Sequence, residues 1–92
     1  MRKQQREILK NYFYSQLITT RSAKSLTQSQ MAEQLAMDDR SYLDSNHGRA
    51  CCSAITLVRF LIFVCESPIY FLEGLRHAFE EAEYKVVLRH LM

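Results

Sequence analysis

The sequence predicts an all-α chain, a five-helix bundle whose first helix is extended. Two glycines and one proline in 92 residues leave few positions for the tight turns of a β-rich fold. Apolar residues recur at three- and four-residue steps over several stretches. Residues that start helices stand in front of most of those stretches. The length holds one domain, residues 1–92, around one core. With 48% hydrophobic and 24% charged residues, the composition excludes a disordered chain.

The first helix is expected from about Gln4 to Ser22. Ile8, Tyr12 and Ser15, with Leu9, Phe13 and Leu17, form one stripe of helical period. The small polar run from Arg21 to Ser25 reads as its exit loop. Thr27 opens the second helix, and Gln30 three residues on completes a capping box. Met31, Ala32 and Leu35 turn inward, and the helix stops near Ala36-Met37. Asp38 caps the third helix, and Asp39 suits the positive end of its dipole. Tyr42, with Leu43 or Ser45, faces inward, and His47-Gly48 closes the helix with a residue free to turn left-handed. The fourth helix starts near Ser53. Its run from Ile55 to Cys65 is apolar almost all round, which predicts burial on most faces. Ser67-Pro68 starts the fifth helix, along which Ile69, Leu72, Leu75, Phe79, Ala82 and Val86 follow at helical steps.

Helices two and three, joined by the turn Ala36-Met37-Asp38, form a helix-turn-helix over residues 27–47. A helix lies in the DNA major groove only when another props it against the backbone. Ala32 is small where the two must approach, and Leu35 and Tyr42 fill the angle between them.

The run from Leu26 to Leu35 resembles the "LTQxxLAxxL" segment of lambda-repressor-like (Cro/cI, XRE-type) helix-turn-helix regulators. Asp39-Arg40-Ser41-Tyr42 through His47-Gly48 is similar to their "SRxxxSxxERG" recognition helix. Thr56-Leu57 to Ser67-Pro68 is similar to "TLLKIAKALGVSPDxLL", with Phe71-Leu72 matching the final leucine pair. The likeness covers about residues 17–75. It implies a five-helix lambda-repressor-like bundle and sequence-specific binding of double-stranded DNA. It also implies a dimer on a near-palindromic operator, regulating transcription, here as a repressor. The recognition helix would be 39–47. Carried over position by position, Gln28 matches a phosphate-clamping glutamine, which a helix N-terminus suits independently. Asp39, Arg40 and Asp44 match positions that face base edges, with Arg40 suited to a bidentate pair with guanine. Ser41, and Tyr42 if its hydroxyl emerges, reach phosphate or base. His47 and Arg49 match the backbone-touching loop after helix three, and Arg21 and Lys24 lie where the exit of helix one meets phosphate.

The chain departs from the pattern at several positions. Ala36 stands where a turn glycine is common, Ser45 where an apolar residue is, Asn46 where glutamate is, and Cys65 where another glycine is. The recognition helix carries Asp38, Asp39 and Asp44 against Arg40 alone. Acidic groups accept from cytosine N4 but repel phosphate. The alternative expectation is therefore a protein-interaction module on the same scaffold, with the acidic third helix facing a basic partner.

The net charge of +2 is unevenly spread. Residues 1–24 balance at +5, residues 25–48 at −3, and residues 49–92 at zero. A basic N-terminal block attracts phosphate, although a solvated terminus has the same composition. An apolar surplus on helices four and five exceeds what one small core hides. It predicts a homodimer through Ile69, Leu72, Leu75, Phe79 and Val86. Three cysteines without a CxxC suggest neither a disulfide framework nor a zinc site. Cys51 and Cys52, adjacent, cannot both easily face one ion with His47 and Cys65, so no metal is expected. A cysteine nucleophile with His77 lacks an oxyanion site, so an enzyme is not expected. Neither a cofactor nor a small-molecule ligand is implied. The longest apolar run, 55–65, is broken by Arg59 and is too short to span a membrane, and the charged N-terminus is not followed by an apolar signal segment. A cytoplasmic location without membrane contact is expected.

Overall fold

A computed structural model describes residues 3–46 and 52–91. The described residues are all-α: α1 Lys3–Lys24, α2 Gln28–Gln34, α3 Asp39–Asn46, α4 Ala54–Arg59, a π-helical turn Phe60–Val64, and α5 Pro68–Leu91. No strand occurs among them.

Local capping sets most of the starts. At α2, Gln30 N–H donates to Thr27 Oγ1 at 3.1 Å, and Thr27 N–H donates to Gln30 Oε1 at 2.8 Å, so the capping box is complete. Ser41 N–H donates to Asp38 Oδ1 at 2.7 Å. Thr56 N–H donates to Ser53 Oγ, and Tyr70 N–H to Ser67 Oγ, both at 3.2 Å. Each satisfies an orphan donor of a first helical turn.

The ends are less conventional. α1 does not yield to a loop at Arg21 but runs on to Lys24, because Ala23 and Lys24 are good helix formers and two cations suit its C-terminal end. It then closes in a Schellman motif: Leu26 N–H donates to the Arg21 carbonyl at 3.1 Å and Ser25 N–H to the Ser22 carbonyl at 3.2 Å. α2 closes in the same way, with Met37 N–H on the Ala32 carbonyl at 2.9 Å and Ala36 N–H on the Glu33 carbonyl at 3.1 Å. This motif needs a left-handed residue, and the chain uses Ser25 and Ala36, both at φ 55°.

The core consists of Phe13 and Leu17 from α1, Met31, Ala32 and Leu35 around α2, Tyr42 from α3, Phe60 and Val64 from the π turn, and Phe71 from α5. Fully burying a side chain of this size contributes about 1.5–3 kcal/mol. Phe60 sits edge-on to Phe13, with ring centroids 5.3 Å apart, and tilted against Phe71 at the same separation. α1 packs on α3 and α5, and α2 on α3 and the π turn.

Helix four was expected to be buried on most faces, and it is not. Thr56, Phe60 and Val64 are buried, whereas Ile55 (70% exposed), Val58, Ile62 (65%) and Phe63 face solvent. A helix this short has room for one packed face against α2 and the core. The π turn ends it, with Cys65 N–H donating to the Phe60 carbonyl at 2.7 Å. On α5 the residue that enters the core is Phe71, while Ile69 (73% exposed) and Leu72 point out and Leu75 and Phe79 are partly buried. α5 continues through Val86 to Leu91.

Candidate nucleic-acid interface

α2 and α3 pack against each other across a connection that runs from Leu35 to Asp38. Leu35 and Tyr42 are both buried and fill the angle, and buried Ala32 lies where a larger side chain would push the helices apart. α3 is therefore anchored along one face. Asp39, Arg40 and Ser41 on its first turn are exposed, and Asp44 is half-buried. Leu43 is exposed rather than turned inward beside Tyr42, and the side chain of Ser45 lies outside the described residues. Gln28, the first residue of α2, and Lys24, the last of α1, are exposed.

Two expected contacts change. Tyr42 is 1% exposed, so its hydroxyl does not emerge to meet phosphate or base. Burial raises its phenol above the ordinary range, and the Arg21 guanidinium, hydrogen-bonded to it, pulls the other way. Arg21 is turned inward as well: Nη1 donates to the Leu26 carbonyl at 3.3 Å, and Nε is buried without a hydrogen-bond partner. It braces the α1–α2 joint and Tyr42 and does not project like the exposed Lys24. His47 and Arg49 lie outside the described residues, as does the side chain of Val86.

Asp38 is held below the ordinary carboxylate range, first by the backbone N–H of Ser41 and then by its hydroxyl, with the backbone and charge of Arg40 acting in the same sense. Its charge is thus committed to capping α3. The acidic character of this face remains, since Asp39 and Asp44 accompany Arg40 on the same helix.

Sequence reasoning missed Arg59. Its Nη2 and Nε donate to the Gln34 carbonyl at the end of α2, at 2.9 and 3.2 Å, and its guanidinium lies 4.8 Å from the centroid of the Phe63 ring. In sequence it is only the charge that interrupts an apolar run.

An open cleft of about 340 Å³ lies between α1 and the segment entering α5, bordered by Lys24, Cys65, Glu66, Ser67 and Tyr70. Among the described residues that line it there is no histidine beside the Cys65 thiol. Among the described residues, no three His, Cys, Asp or Glu side chains are grouped to hold a metal ion, and no helix is long and apolar enough to cross a membrane. Comparison with protein-family models, with curated proteins and with solved structures finds no match to this chain.

Proposed function

We propose that the chain is a small DNA-binding regulator of transcription, of repressor type, with a lambda-repressor-like helix-turn-helix. α3 enters the major groove of double-stranded DNA. The observation that carries this reading is the joint between α2 and α3. Ala36, where the regulators it resembles commonly have glycine, takes the left-handed turn. Buried Tyr42 ties one face of α3 to the bundle, and Asp39, Arg40 and Ser41 stand on the exposed side. Arg40 reads guanine bidentately, and Asp39 and Asp44 accept from cytosine N4. Gln28 and Lys24 hold phosphates, joined in sequence by His47 and Arg49.

The active species is a homodimer. Exposed Ile69 and Leu72 continue along α5 into half-buried Leu75 and Phe79, and exposed Ile55 and Val58 on α4, with Ile62 in the π turn, add an apolar stripe. Two-fold pairing would set two copies of α3 about 34 Å apart, one turn of DNA. Sedimentation at micromolar concentration should give twice the mass of the 10.8 kDa chain. A monomer would remove the dimer.

A second reading is favoured by one observation, the excess of Asp39 and Asp44, with Asp38 at the cap, over Arg40 on α3. On that reading the helix docks a basic protein surface. Salt-dependent binding to mixed genomic fragments separates the two: the DNA reading requires affinity that falls as salt rises, and the protein reading requires none.

A further inference from the structure

We infer that Arg59 is the positioning residue of the helix-turn-helix: its guanidinium closes the C-terminal end of α2 and so fixes where α3 stands on the bundle. The inference rests on the reading of α2 and α3 as the DNA-contacting unit.

The last four carbonyls of an α-helix have no partner within it. In α2 these belong to Met31, Ala32, Glu33 and Gln34. Three are taken by the chain that follows. The Met31 carbonyl accepts from Leu35 N–H at 3.0 Å, Ala32 from Met37 N–H at 2.9 Å, and Glu33 from Ala36 N–H at 3.1 Å. The fourth, Gln34, accepts from Arg59, which lies 25 positions away in sequence. The same bonds that complete α2 therefore make its last turn, the left-handed Ala36 and the C-terminal end of α4 one connected unit. α3 begins three residues after Ala36.

The chemistry fits arginine. Two N–H groups of one rigid plane converge on a single oxygen, at the negative end of a helix dipole. The plane rests on the Phe63 ring, which limits its rotation. A lysine ammonium carries its three donors on one rotating nitrogen at the end of a flexible stem, without the fixed fork that aims two N–H groups at one oxygen, and leaves the ring contact weaker. Because this charge is directed at α2, it does not neutralise a phosphate. Its removal should change affinity without changing the salt dependence.

The test uses the full chain with Arg59→Met and Arg59→Lys, followed by residue-resolved amide hydrogen exchange and duplex binding at several salt concentrations. In Arg59→Met, the amides of Leu35, Ala36, Met37 and Tyr42 should exchange about tenfold faster or more, as expected for a lost charge-assisted bond. Amides of α1 that face α5 should not change. DNA affinity should fall by about tenfold, the size of one such bond, at an unchanged salt slope. Arg59→Lys should fall between the two, and it serves alone if the methionine variant does not fold. Uniformly faster exchange along the chain, or no change over 35–42, overturns the inference, and so does a salt slope lower by about one, which marks a direct phosphate contact. Absence of duplex binding by the unaltered chain would remove the DNA reading alone, because the exchange pattern still decides the clamp.

Discussion

The hydroxyl of Tyr12 on α1 donates to the main-chain carbonyl of Phe71 on α5 at 2.9 Å, while the two rings meet edge-on with centroids 5.1 Å apart. One turn along α5, Gly74 leaves the space this requires: a β-carbon there would run into the Tyr12 hydroxyl and lie 3.1 Å from the ring carbon bearing it. Gly74→Ala should therefore destabilise the chain by about 1–3 kcal/mol in urea unfolding, through overpacking. Tyr12→Phe alone should cost about 1 kcal/mol for the lost hydrogen bond. In the double variant the costs should add to less than their sum, since the clash partner is gone. Full additivity would contradict the pairing.

The two left-handed helix ends give a test of opposite sign. Ala36→Gly should raise stability by about 1 kcal/mol, because the positive φ costs alanine about 1–2 kcal/mol and the greater freedom of glycine in the unfolded chain returns part of that. Ser25→Gly should act likewise. Ala23→Gly, inside α1, should lower stability by about 0.5–1 kcal/mol. Thermal unfolding of the three variants checks the signs.

Stability should decline at both ends of the pH scale. Asp38 is lowered in the folded chain by the Ser41 hydrogen bonds, so its contribution is present above the ordinary value of 3.8 and is lost as pH falls through the lowered one. An NMR titration should find the Asp38 carboxyl below 3.8, and protonation should loosen the start of α3. Tyr12 and Tyr42 are raised, chiefly by burial, so what they contribute is complete below pH 10.0 and is lost as pH rises through their folded values. Absorbance titration should show both ionising above 10.0 and together with unfolding.

Much of the bundle was legible because its signals are local. Thr27 with Gln30, Asp38, Ser53 and Ser67-Pro68 each announce a helix start within three residues. Phe13, Leu17, Met31, Ala32 and Leu35 obey a helical period. What escaped depends on distant partners or on unmarked conformations. Ser25 and Ala36 end helices without the glycine that flags such an end. The need for a small residue at Gly74 is set by Tyr12, and the role of Arg59 by a carbonyl on α2. The apolar run 55–65 suggested a buried rod, but periodicity alone does not say that a packed surface meets only one of its faces. Within the candidate interface, the exposed first turn of α3 followed from its capping and anchor residues. The inward turn of Arg21 did not, because it depends on Tyr42 and on the Leu26 carbonyl.

The roles assigned on α3 and around it should separate by mutation. Arg40→Ala should cost about 1–3 kcal/mol at one base pair and relax preference there. Lys24→Ala should weaken binding to all duplexes alike and reduce the salt slope by about one. Quantitative binding to a matched and a singly mismatched duplex distinguishes the two, and identical behaviour of the variants would contradict the assignment.

Selection of bound duplexes from a random pool by the 92-residue chain bears most directly on whether α3 reads DNA. The selected duplexes should converge on two related half-sites about one helical turn apart, with preference at one position in each lost in Arg40→Ala. A pool that remains random after repeated rounds at low salt would contradict DNA recognition by this helix.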